Sequence, residues 1–264
     1  MNVLLTGSSG NLGRHLRHCG KNRYISIRRT DLDTNSVAVP SNTSGILHAA
    51  FDLKLDPKVD PYQYYESNVG LTCKLLNAAL SSNIDFFAYI SSSAVYGKAS
   101  ITNESQHCRP INHYGRTKLF CEKIIADFCE KNGIKCEVYR VFNLFGGEDR
   151  FSVLSKLNHC IKNQIGFTLA NSGKSQRDFI HVEDAATIID SLLNSHQFDI
   201  LNIGSGSPTS LIQIVQAYKE INDFEIIHVI RDEIPSSVAD ISRLKQLIRD
   251  PYFRPVISEI LTTD

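Results

Sequence analysis

The chain has 264 residues, 42% of them hydrophobic, and its 28 basic side chains balance 28 acidic ones. This length suits one large domain or a domain with an added lobe, and the apolar fraction suffices for a sizeable core. The zero net charge gives no indication of binding to nucleic acid or to an anionic membrane.

The cysteines and the apolar runs bear on the cellular compartment. The seven cysteines are odd in number, scattered along the chain and without a Cys-x-x-Cys pair, so we expect reduced thiols. No charged leader with a long apolar run opens the chain, and no apolar stretch is long enough for a membrane span. We therefore expect a cytoplasmic protein.

Short apolar strands alternate with helices in the first half of the chain. The pattern predicts strands at residues 2–6, 24–28, 45–49, 86–90 and 136–141. It predicts helices ending near Cys19, at 62–80 and at 114–131, with a loop at 30–44. Such alternation indicates right-handed β-α-β units and a parallel sheet.

The pattern changes after about residue 146. Helices are expected near 151–163, 182–194 and 209–221, and short strands near 167–170, 199–203 and 225–230. We predict an α/β protein in which residues 1–145 form a doubly wound parallel sheet and residues 146–264 form a smaller lobe. Part of 180–200 is expected to pack back on the sheet.

A glycine-rich loop lies between the first strand and the first helix. Its sequence is Thr6-Gly7-Ser8-Ser9-Gly10-Asn11-Leu12-Gly13. In this position glycines permit a tight turn and close approach to a pyrophosphate, and the helix N-terminus offers unpaired N–H groups. A Walker phosphate loop is excluded because no Gly-Lys-Ser/Thr follows. We predict that the cofactor contacts Gly7, Ser9, Gly10, Asn11, Leu12 and Gly13.

Tyr114 and Lys118 are four residues apart on a predicted helix, so their side chains lie on the same side of it. A neighbouring ammonium favours the phenolate and lowers the pKa of a tyrosine. The pair is therefore a candidate general acid or base.

The glycine spacing, together with Ser92, Tyr114 and Lys118, resembles the extended branch of the short-chain dehydrogenase/reductase superfamily. That branch contains NAD(P)-dependent nucleotide-sugar epimerases, dehydratases and reductases. The resemblance runs nearly end to end. It implies an enzyme with a Rossmann-type dinucleotide-binding domain over 1–145, a substrate-binding lobe over 146–264, and a nicotinamide that carries the hydride.

The resemblance also assigns the catalytic residues. Counting back from Val95-Tyr96-Gly97 places the family's catalytic hydroxyl on Ser92, with Ser91 or Ser93 as alternatives. Tyr114 would exchange the proton of the sugar oxygen, and Lys118 would hold the nicotinamide ribose and lower the tyrosine pKa. Ala49, Asn68, Ser91, Tyr114 and Lys118 are further cofactor-binding predictions, with helix packing as the alternative role for Asn68.

Three segments of the second half resemble substrate-binding motifs of the family. Besides Ser92, the matches assign Asn143 to the sugar or diphosphate, and Arg177 and Arg231 to the diphosphate, a task suited to a planar guanidinium. A surface charge is the alternative for Arg231. We expect a structural role for His181, and Asn202-Ile203-Gly204-Ser205-Gly206 resembles a family turn.

The end of the second strand bears on the choice of cofactor. Arg28 and Arg29 stand where many NAD-dependent relatives have an aspartate. Guanidinium groups bind a 2′-phosphate that a carboxylate repels, so NADP(H) is favoured. Asp31 and Asp33 keep NAD(H) possible. The short segment before Gly45 predicts a trimmed sheet or an open adenine edge.

The reaction is the least specified prediction. Ser93 and Ala94 stand where dehydratases of the family carry an Asp-Glu acid/base pair, which argues against water elimination. We expect NADPH-dependent reduction of a nucleotide-linked keto sugar. A nucleotide-sugar 4-epimerase is the alternative, and a non-catalytic dinucleotide-binding regulator is a third hypothesis.

The resemblance also predicts a homodimer, formed through the helix that starts at Tyr114 and the helix before it. The apolar residues of the later helix would lie at that interface or in the core. They are Leu119, Ile124, Ile125 and Phe128.

Overall fold

The computed structural model describes residues 1–27, 31, 37–53, 60–99, 101–195 and 197–262. Its strands are β1 (Asn2–Thr6), β2 (Arg23–Ser26), β3 (Gly45–His48), β4 (Phe86–Ser92), β5 (Ile101–Thr102), β6 (Lys135–Val141), β7 (Asn143–Phe145), β8 (Phe167–Ala170), β9 (Gln176–His181), β10 (Ile200–Ile203), β11 (Pro208–Ser210), β12 (Ile226–Val229) and β13 (Ser236–Ala239). Its α-helices are α1 (Asn11–Cys19), α2 (Pro61–Tyr65), α3 (Leu71–Leu80), α4 (His113–Asn132), α5 (Val153–Lys162), α6 (Val182–Leu192), α7 (Leu211–Ile221), α8 (Ser242–Leu247) and α9 (Val256–Thr262). A π-helical turn (Glu66–Gly70) joins α2 to α3.

A six-stranded parallel sheet forms the centre of the molecule, in the order β10-β6-β4-β3-β1-β2. Alternate residues of its strands enter two different cores, because successive side chains of a strand point to opposite faces. Leu5 and Leu47 pack with α1 and α6 on one face. Leu4 and Ile46 pack with α3 and α4 on the other. The α/β class with a Rossmann-type parallel sheet is confirmed.

The later residues build smaller sheets. β11, β9, β13 and β5 form one sheet, β7 joins β9, and β12 pairs with β8. The predicted strands at 167–170 and 225–230 correspond to β8 and β12. The sequence patterns missed β5, β7, β9, β11 and β13, which are short and mix polar with apolar residues. The division of the chain near residue 145 stays a prediction.

The chain returns to the central sheet after β9. Helix α6 packs on α1, and its residues Val182 and Ile189 share a core with Leu16. Strand β10 then extends the sheet beside β6.

The opposite edge of the sheet is formed by β2, which pairs only with β1 among the described strands. Residues 37–44 contain no helix or strand. The trimmed sheet or open adenine edge stays a prediction, because residues 28–30 and 32–36 of this segment lie outside the described residues. Arg28 and Arg29, on which the NADP(H) prediction rests, lie outside the described residues, as does Asp33.

Asp190 of α6 connects this edge of the sheet to the helix by hydrogen bonds. Its carboxylate is buried and accepts hydrogen bonds from the Tyr24 hydroxyl at 2.7 Å and the Lys21 amide at 2.7 Å. It also accepts one from the side-chain amide of Asn22 at 3.0 Å. Each bond to a buried carboxylate is short and strong, so this single side chain holds the turn before β2 against α6.

Asp190→Asn is expected to lower the free energy of unfolding by about 2 kcal/mol, because an amide replaces one acceptor oxygen with a donor that faces other donors. Urea unfolding measures the change. The matched control is Asp250→Asn, whose side chain is 96% exposed. Equal unfolding midpoints in the two variants would contradict this role of Asp190.

Candidate active site

The site lies where β1, β3 and β4 end, at the carboxyl edge of the parallel sheet, the usual position of ligands in such folds. Gly7 follows β1 with a φ of +71°. A Cβ there would lie 2.7 Å from the main chain of Ala49 and Ala50, after β3. A Cβ on Gly13 would lie 2.2 Å from the Gly7 carbonyl oxygen. Only glycine fits these two positions, so the loop has the close packing that a pyrophosphate cradle needs.

The other predicted loop residues differ in their exposure and in their hydrogen bonds. Ser9 and Gly10 are exposed, whereas Leu12 is buried in the core. The side-chain amide of Asn11 donates to the Gly146 carbonyl at 2.8 Å, and its oxygen accepts from the Glu148 amide at 3.0 Å. These bonds join the loop to the segment after β7. A cofactor contact by Asn11 therefore stays a prediction for its main chain.

Lys118 is buried beneath the site, with 3% of its surface exposed. Its ammonium donates to the Ile90 carbonyl at 2.7 Å and lies 4.0 Å from the centre of the Phe51 ring. Burial disfavours the charged form and lowers the pKa of Lys118 to about 7, although the nearby Cys121 and Glu122 raise it. The cation–π contact with Phe51 offsets part of the desolvation.

Tyr114 is partly buried at the start of α4. The helix begins there because the Asn112 side chain accepts from the Gly115 amide at 2.8 Å. A Cβ on Gly115 would lie 2.5 Å from the Ala94 carbonyl oxygen, so the glycine brings the helix start against the turn after β4. The Tyr114 ring also meets the Phe51 ring edge-on at 5.3 Å.

The expected lowering of the Tyr114 pKa by Lys118 is wrong for this structure. Burial raises the pKa of Tyr114 above its usual 10.0, the Tyr64 hydroxyl raises it further, and only a hydrogen bond with Ser92 lowers it. The Lys118 ammonium is 6.0 Å from the centre of the Tyr114 ring and is bonded to Ile90 instead. Desolvation of the phenol therefore outweighs the distant charge.

Ser92 is the last residue of β4 and caps the following 3₁₀ turn (Ser93–Val95), since its hydroxyl accepts from the Ala94 amide at 3.2 Å. The nearby Ser92 hydroxyl lowers the pKa of Tyr114, and its catalytic role stays a prediction. Ser91 is different: its buried hydroxyl donates to the Glu122 carboxylate. A cofactor contact by Ser91 can therefore involve only its main chain.

Asn68 is buried and its side chain is fully used within the protein. Its oxygen accepts from the Asp52 amide at 2.7 Å, and its nitrogen donates to the Asp52 carbonyl at 3.2 Å and the Tyr64 carbonyl at 3.0 Å. These bonds order the segment after β3 that contains Ala49 and Phe51. This geometry favours the helix-packing alternative for Asn68.

The predicted substrate residues lie on the smaller sheet. Asn143 opens β7, and its amide donates to the Asp178 carbonyl at 2.7 Å. Arg177 on β9 is partly buried, which lowers its pKa, while Glu233 raises it. Arg231 is exposed, and its main chain pairs with the side chain of Asn171.

Asn171, which pairs with the main chain of Arg231, also donates to the Glu233 carboxylate at 3.1 Å. The charge of Glu233 raises the pKa of Arg177. A joint diphosphate site formed by Arg177 and Arg231 stays a prediction.

Two buried polar residues organise the site but were not predicted. Asp178 accepts from the amides of Ser205 at 2.8 Å, Gly206 at 2.9 Å and Ala239 at 3.1 Å. His48 bonds the Thr6 hydroxyl at 2.8 Å and the Thr72 hydroxyl at 3.1 Å. The strand that contains Asp178 mixes polar with apolar residues, so the sequence pattern gave no signal that this acid is buried.

His181 has a structural setting, as expected. It caps α6 by accepting from the Glu183 amide at 3.3 Å and lies 2.7 Å from the Arg254 guanidinium. Burial and that cation lower its pKa.

Among the described residues, no group of three or more His, Cys, Asp or Glu side chains could hold a metal ion. Among the helices in that part of the chain, none is long and apolar enough to cross a membrane.

Residues 3–204 match the model of the NAD dependent epimerase/dehydratase family. The chain therefore belongs to this family of nucleotide-sugar enzymes, which confirms the short-chain dehydrogenase/reductase resemblance.

Two curated relatives illustrate the range of the family. The chain is 29% identical over 231 residues to the UDP-glucose 4-epimerase of Rhizobium meliloti (strain 1021), covering 77% of this chain and 70% of that protein. It is 28% identical over 276 residues to the GDP-6-deoxy-D-talose 4-dehydrogenase of Aggregatibacter actinomycetemcomitans, covering 96% of this chain and 92% of that protein. It spans only 65% and 62% of the UDP-glucose 4-epimerases of Rhizobium leguminosarum bv. trifolii and Lactobacillus helveticus.

Solved structures share the fold. The UDP-glucuronic acid 4-epimerase of Bacillus cereus, in complex with UDP-glucuronic acid and NAD, has a TM-score of 0.86 at 21% identity, with 99% of this chain and 96% of that chain covered. The relatives as a group favour the epimerase alternative. They do not support the NADPH-dependent reduction that the sequence favoured.

Replacing Lys118 with methionine should change how stability depends on pH. The amine has a pKa of about 7 when folded and 10.5 as its ordinary value. Between these values the unfolded chain binds more protons, so the wild-type free energy of unfolding rises with pH. Lys118→Met lacks this rise. The free energy of unfolding of Lys118→Met minus that of wild type should therefore be greatest at about pH 7 and decline toward about pH 10. Urea unfolding at a series of pH values measures this difference. A constant difference across that range would contradict the burial of a titrating amine.

Proposed function

We propose that this protein is a nucleotide-sugar 4-epimerase that uses a tightly held NAD(H). The observation that carries the proposal is the position of Lys118 on α4: its ammonium bonds the Ile90 carbonyl of β4 and lies 6.0 Å from the centre of the Tyr114 ring, at the edge of the sheet where β4 ends in Ser92. The curated relatives that are UDP-glucose 4-epimerases support this reaction within the family.

The glycine loop fits a dinucleotide, because Gly7 and Gly13 allow the main chain of the loop to pack closely on itself and on the residues just after β3, which is the tight turn that a pyrophosphate needs. In this proposal the loop holds the pyrophosphate, and Lys118 binds the nicotinamide ribose. The bound nicotinamide supplies a two-electron oxidant that takes up a hydride from the sugar carbon and gives it back. NAD is proposed over NADP because an epimerase regenerates its own cofactor and need not draw on a reducing pool.

Tyr114 moves the proton in both directions. It accepts the proton of the sugar hydroxyl as the hydride leaves the carbon, and returns it when the hydride comes back to the opposite face. In this proposal the Ser92 hydroxyl, which lowers the pKa of the phenol, holds the sugar oxygen in line. Because no acid stands at Ser93 or Ala94, the site lacks the second acid/base pair that water elimination requires.

Arg177 and Arg231 bind the substrate diphosphate in this proposal. Partial burial lowers the pKa of Arg177, and an anion would restore the interactions that the guanidinium loses with water. Glu233, whose charge raises the pKa of Arg177, would have to turn away or pair with Arg231 when the diphosphate binds.

A keto-sugar dehydrogenase or reductase is the second candidate. The 4-dehydrogenase relative that covers 96% of this chain supports it, and the same three residues would serve one direction of the reaction. A non-catalytic regulator is disfavoured, since all three catalytic positions are present.

The test is an assay with NAD and a panel of UDP-glucose, UDP-N-acetylglucosamine and UDP-glucuronic acid, followed by proton NMR. An epimerase inverts C4 of at least one sugar with no net change in nicotinamide absorbance. Tyr114→Phe should lower turnover by about 10²–10⁴-fold and leave NAD affinity nearly intact. Tyr62→Phe, at a residue 69% exposed, is the matched control.

The opposing outcomes of this assay are distinct. A parallel reaction with NADPH and a nucleotide-linked 4-keto sugar tests the second candidate. Stoichiometric oxidation of NADPH in that reaction, without inversion of any sugar in the panel, would establish the reductase instead. Failure to bind any dinucleotide would remove both enzymatic candidates.

A homodimer through α3 and α4 is part of the proposal. The four apolar residues considered for the interface pack inward: Ile125 is fully buried, and Leu119, Ile124 and Phe128 pack on the cores. The apolar side chain that α4 leaves exposed is Phe120, at 53%. It replaces them as the interface candidate.

Phe120→Glu should convert the dimer to a monomer, because a carboxylate cannot be buried unpaired in an apolar interface. Light scattering after size-exclusion chromatography measures the mass. Phe151→Glu, at a residue 64% exposed outside these helices, is the control. An unchanged dimer in Phe120→Glu, or a monomeric wild type, would contradict this interface.

A further inference from the structure

Glu122 carries a charge deep in the protein that no catalytic step uses. Its side chain is 5% exposed and lies on α4, one helical turn after Lys118. It accepts from Arg140 at 3.1 Å from Nε and 2.7 Å from Nη2, and it also accepts from the Ser91 hydroxyl. Two polar side chains, Arg140 and Ser91, are therefore removed from water together with the carboxylate that they bond.

A buried ion pair is weak evidence for stability, because apolar residues of similar volume often serve as well. Its bonds are directional, however, and bidentate pairs fix relative orientation. The three partners come from three elements that carry predicted functional residues. Ser91 precedes Ser92 on β4, Glu122 follows Tyr114 and Lys118 on α4, and Arg140 on β6 leads to Asn143.

The end of β4 is held at consecutive points by this arrangement. The Ile90 carbonyl accepts from Lys118, and the next residue, Ser91, donates its hydroxyl to Glu122. Residues four apart on a helix lie on the same side, so α4 contacts the strand in one register. That register brings Tyr114 to Ser92.

We propose that Glu122 is a positioning residue for the reaction, and that its bonds to Ser91 and Arg140 fix the catalytic helix on the catalytic strand. The inference rests on the proposed function for its kinetic test alone. Arg140 completes the arrangement from β6: its guanidinium stacks 4.8 Å from the centre of the Tyr96 ring, and the Tyr96 hydroxyl bonds Asn202 of β10 at 2.7 Å.

Glu122 also acts on Lys118 through its charge. Its carboxylate raises the pKa of Lys118 against the effect of burial. The titratable groups that face Lys118 come from three elements: Tyr114, Cys121 and Glu122 on α4, Tyr89 on β4, and His48 on β3. Burial and Lys118 lower the pKa of His48 to about 3, so it stays neutral and does not compete.

The first test compares Ser91→Ala with Glu137→Gln. Ser91→Ala removes one bond of the arrangement but leaves the Glu122–Arg140 pair intact, so the fold is retained. Glu137 is an equally buried carboxylate on β6 that bonds Tyr139 and the Asn194 amide, away from α4. We expect Ser91→Ala to lower kcat by about 10–100-fold with NAD affinity within about twofold of wild type, and Glu137→Gln to keep both near wild type.

The second variant, Glu122→Gln, keeps the shape and removes the charge. The alkaline limb of its kcat profile should move to lower pH, because Lys118 loses its proton more readily without the carboxylate. A merely structural role would lower the amount of folded protein and leave the limb in place.

Three results would overturn the inference. Ser91→Ala could weaken NAD binding with kcat unchanged, which would mean that the bond of Ser91 to Glu122 supports the cofactor site and not the catalytic residues. It could match wild type in both measures. Alternatively, Glu137→Gln could reproduce its loss of kcat.

Hydrogen exchange separates this inference from the proposed function. If wild type shows no turnover, the epimerase proposal fails, yet Ser91→Ala should still speed amide exchange at the start of α4 relative to Glu137→Gln. Equal exchange rates in the two variants would then overturn the positioning role.

Discussion

The buried ammonium of Lys118 joins helix α4 to strand β4 in one arrangement. Its bond to the Ile90 carbonyl and its position over the Phe51 ring replace the interactions with water that burial removes. A helix slipped by one residue would leave this charge without partners. The same register sets Tyr114 beside Ser92, so the geometry of the candidate site follows from the need to satisfy one cation.

Buried carboxylates connect neighbouring segments of this protein by hydrogen bonds at points where loops meet the sheet. Asp178 accepts hydrogen bonds from amides after β10 and at β13. Asp190 accepts one from the turn before β2, and Glu122 accepts one from Ser91 near the end of β4. Each accepts several directional bonds, so each fixes a local geometry that apolar packing alone leaves loose. In the proposed reaction the proton is moved by the partly buried hydroxyls of Ser92 and Tyr114, whose neighbouring residues are fixed by such bonds.

Residue spacing was enough to predict the parallel sheet and the glycine loop, which depend on local periodicity and on where parallel strands end. The assignment of Ser92 as the partner of Tyr114 came from the family resemblance and stays a prediction. The directions of the Asn11 and Ser91 side chains were not predictable, because their partners Gly146 and Glu122 are distant in sequence. The sign of the Tyr114 pKa shift was wrong for a similar reason: burial depends on the whole fold.

The central claim is that one site removes a hydride from a sugar carbon and returns the same hydride to its opposite face. The most direct measurement follows a deuterium at C4 of the nucleotide sugar that the enzyme turns over. Retention of the label at C4 of the inverted product, with none in solvent or in free dinucleotide, is the predicted result. Loss of the label to water, or its release on a dissociating dinucleotide without inversion, would contradict a 4-epimerase built on Ser92, Tyr114 and Lys118.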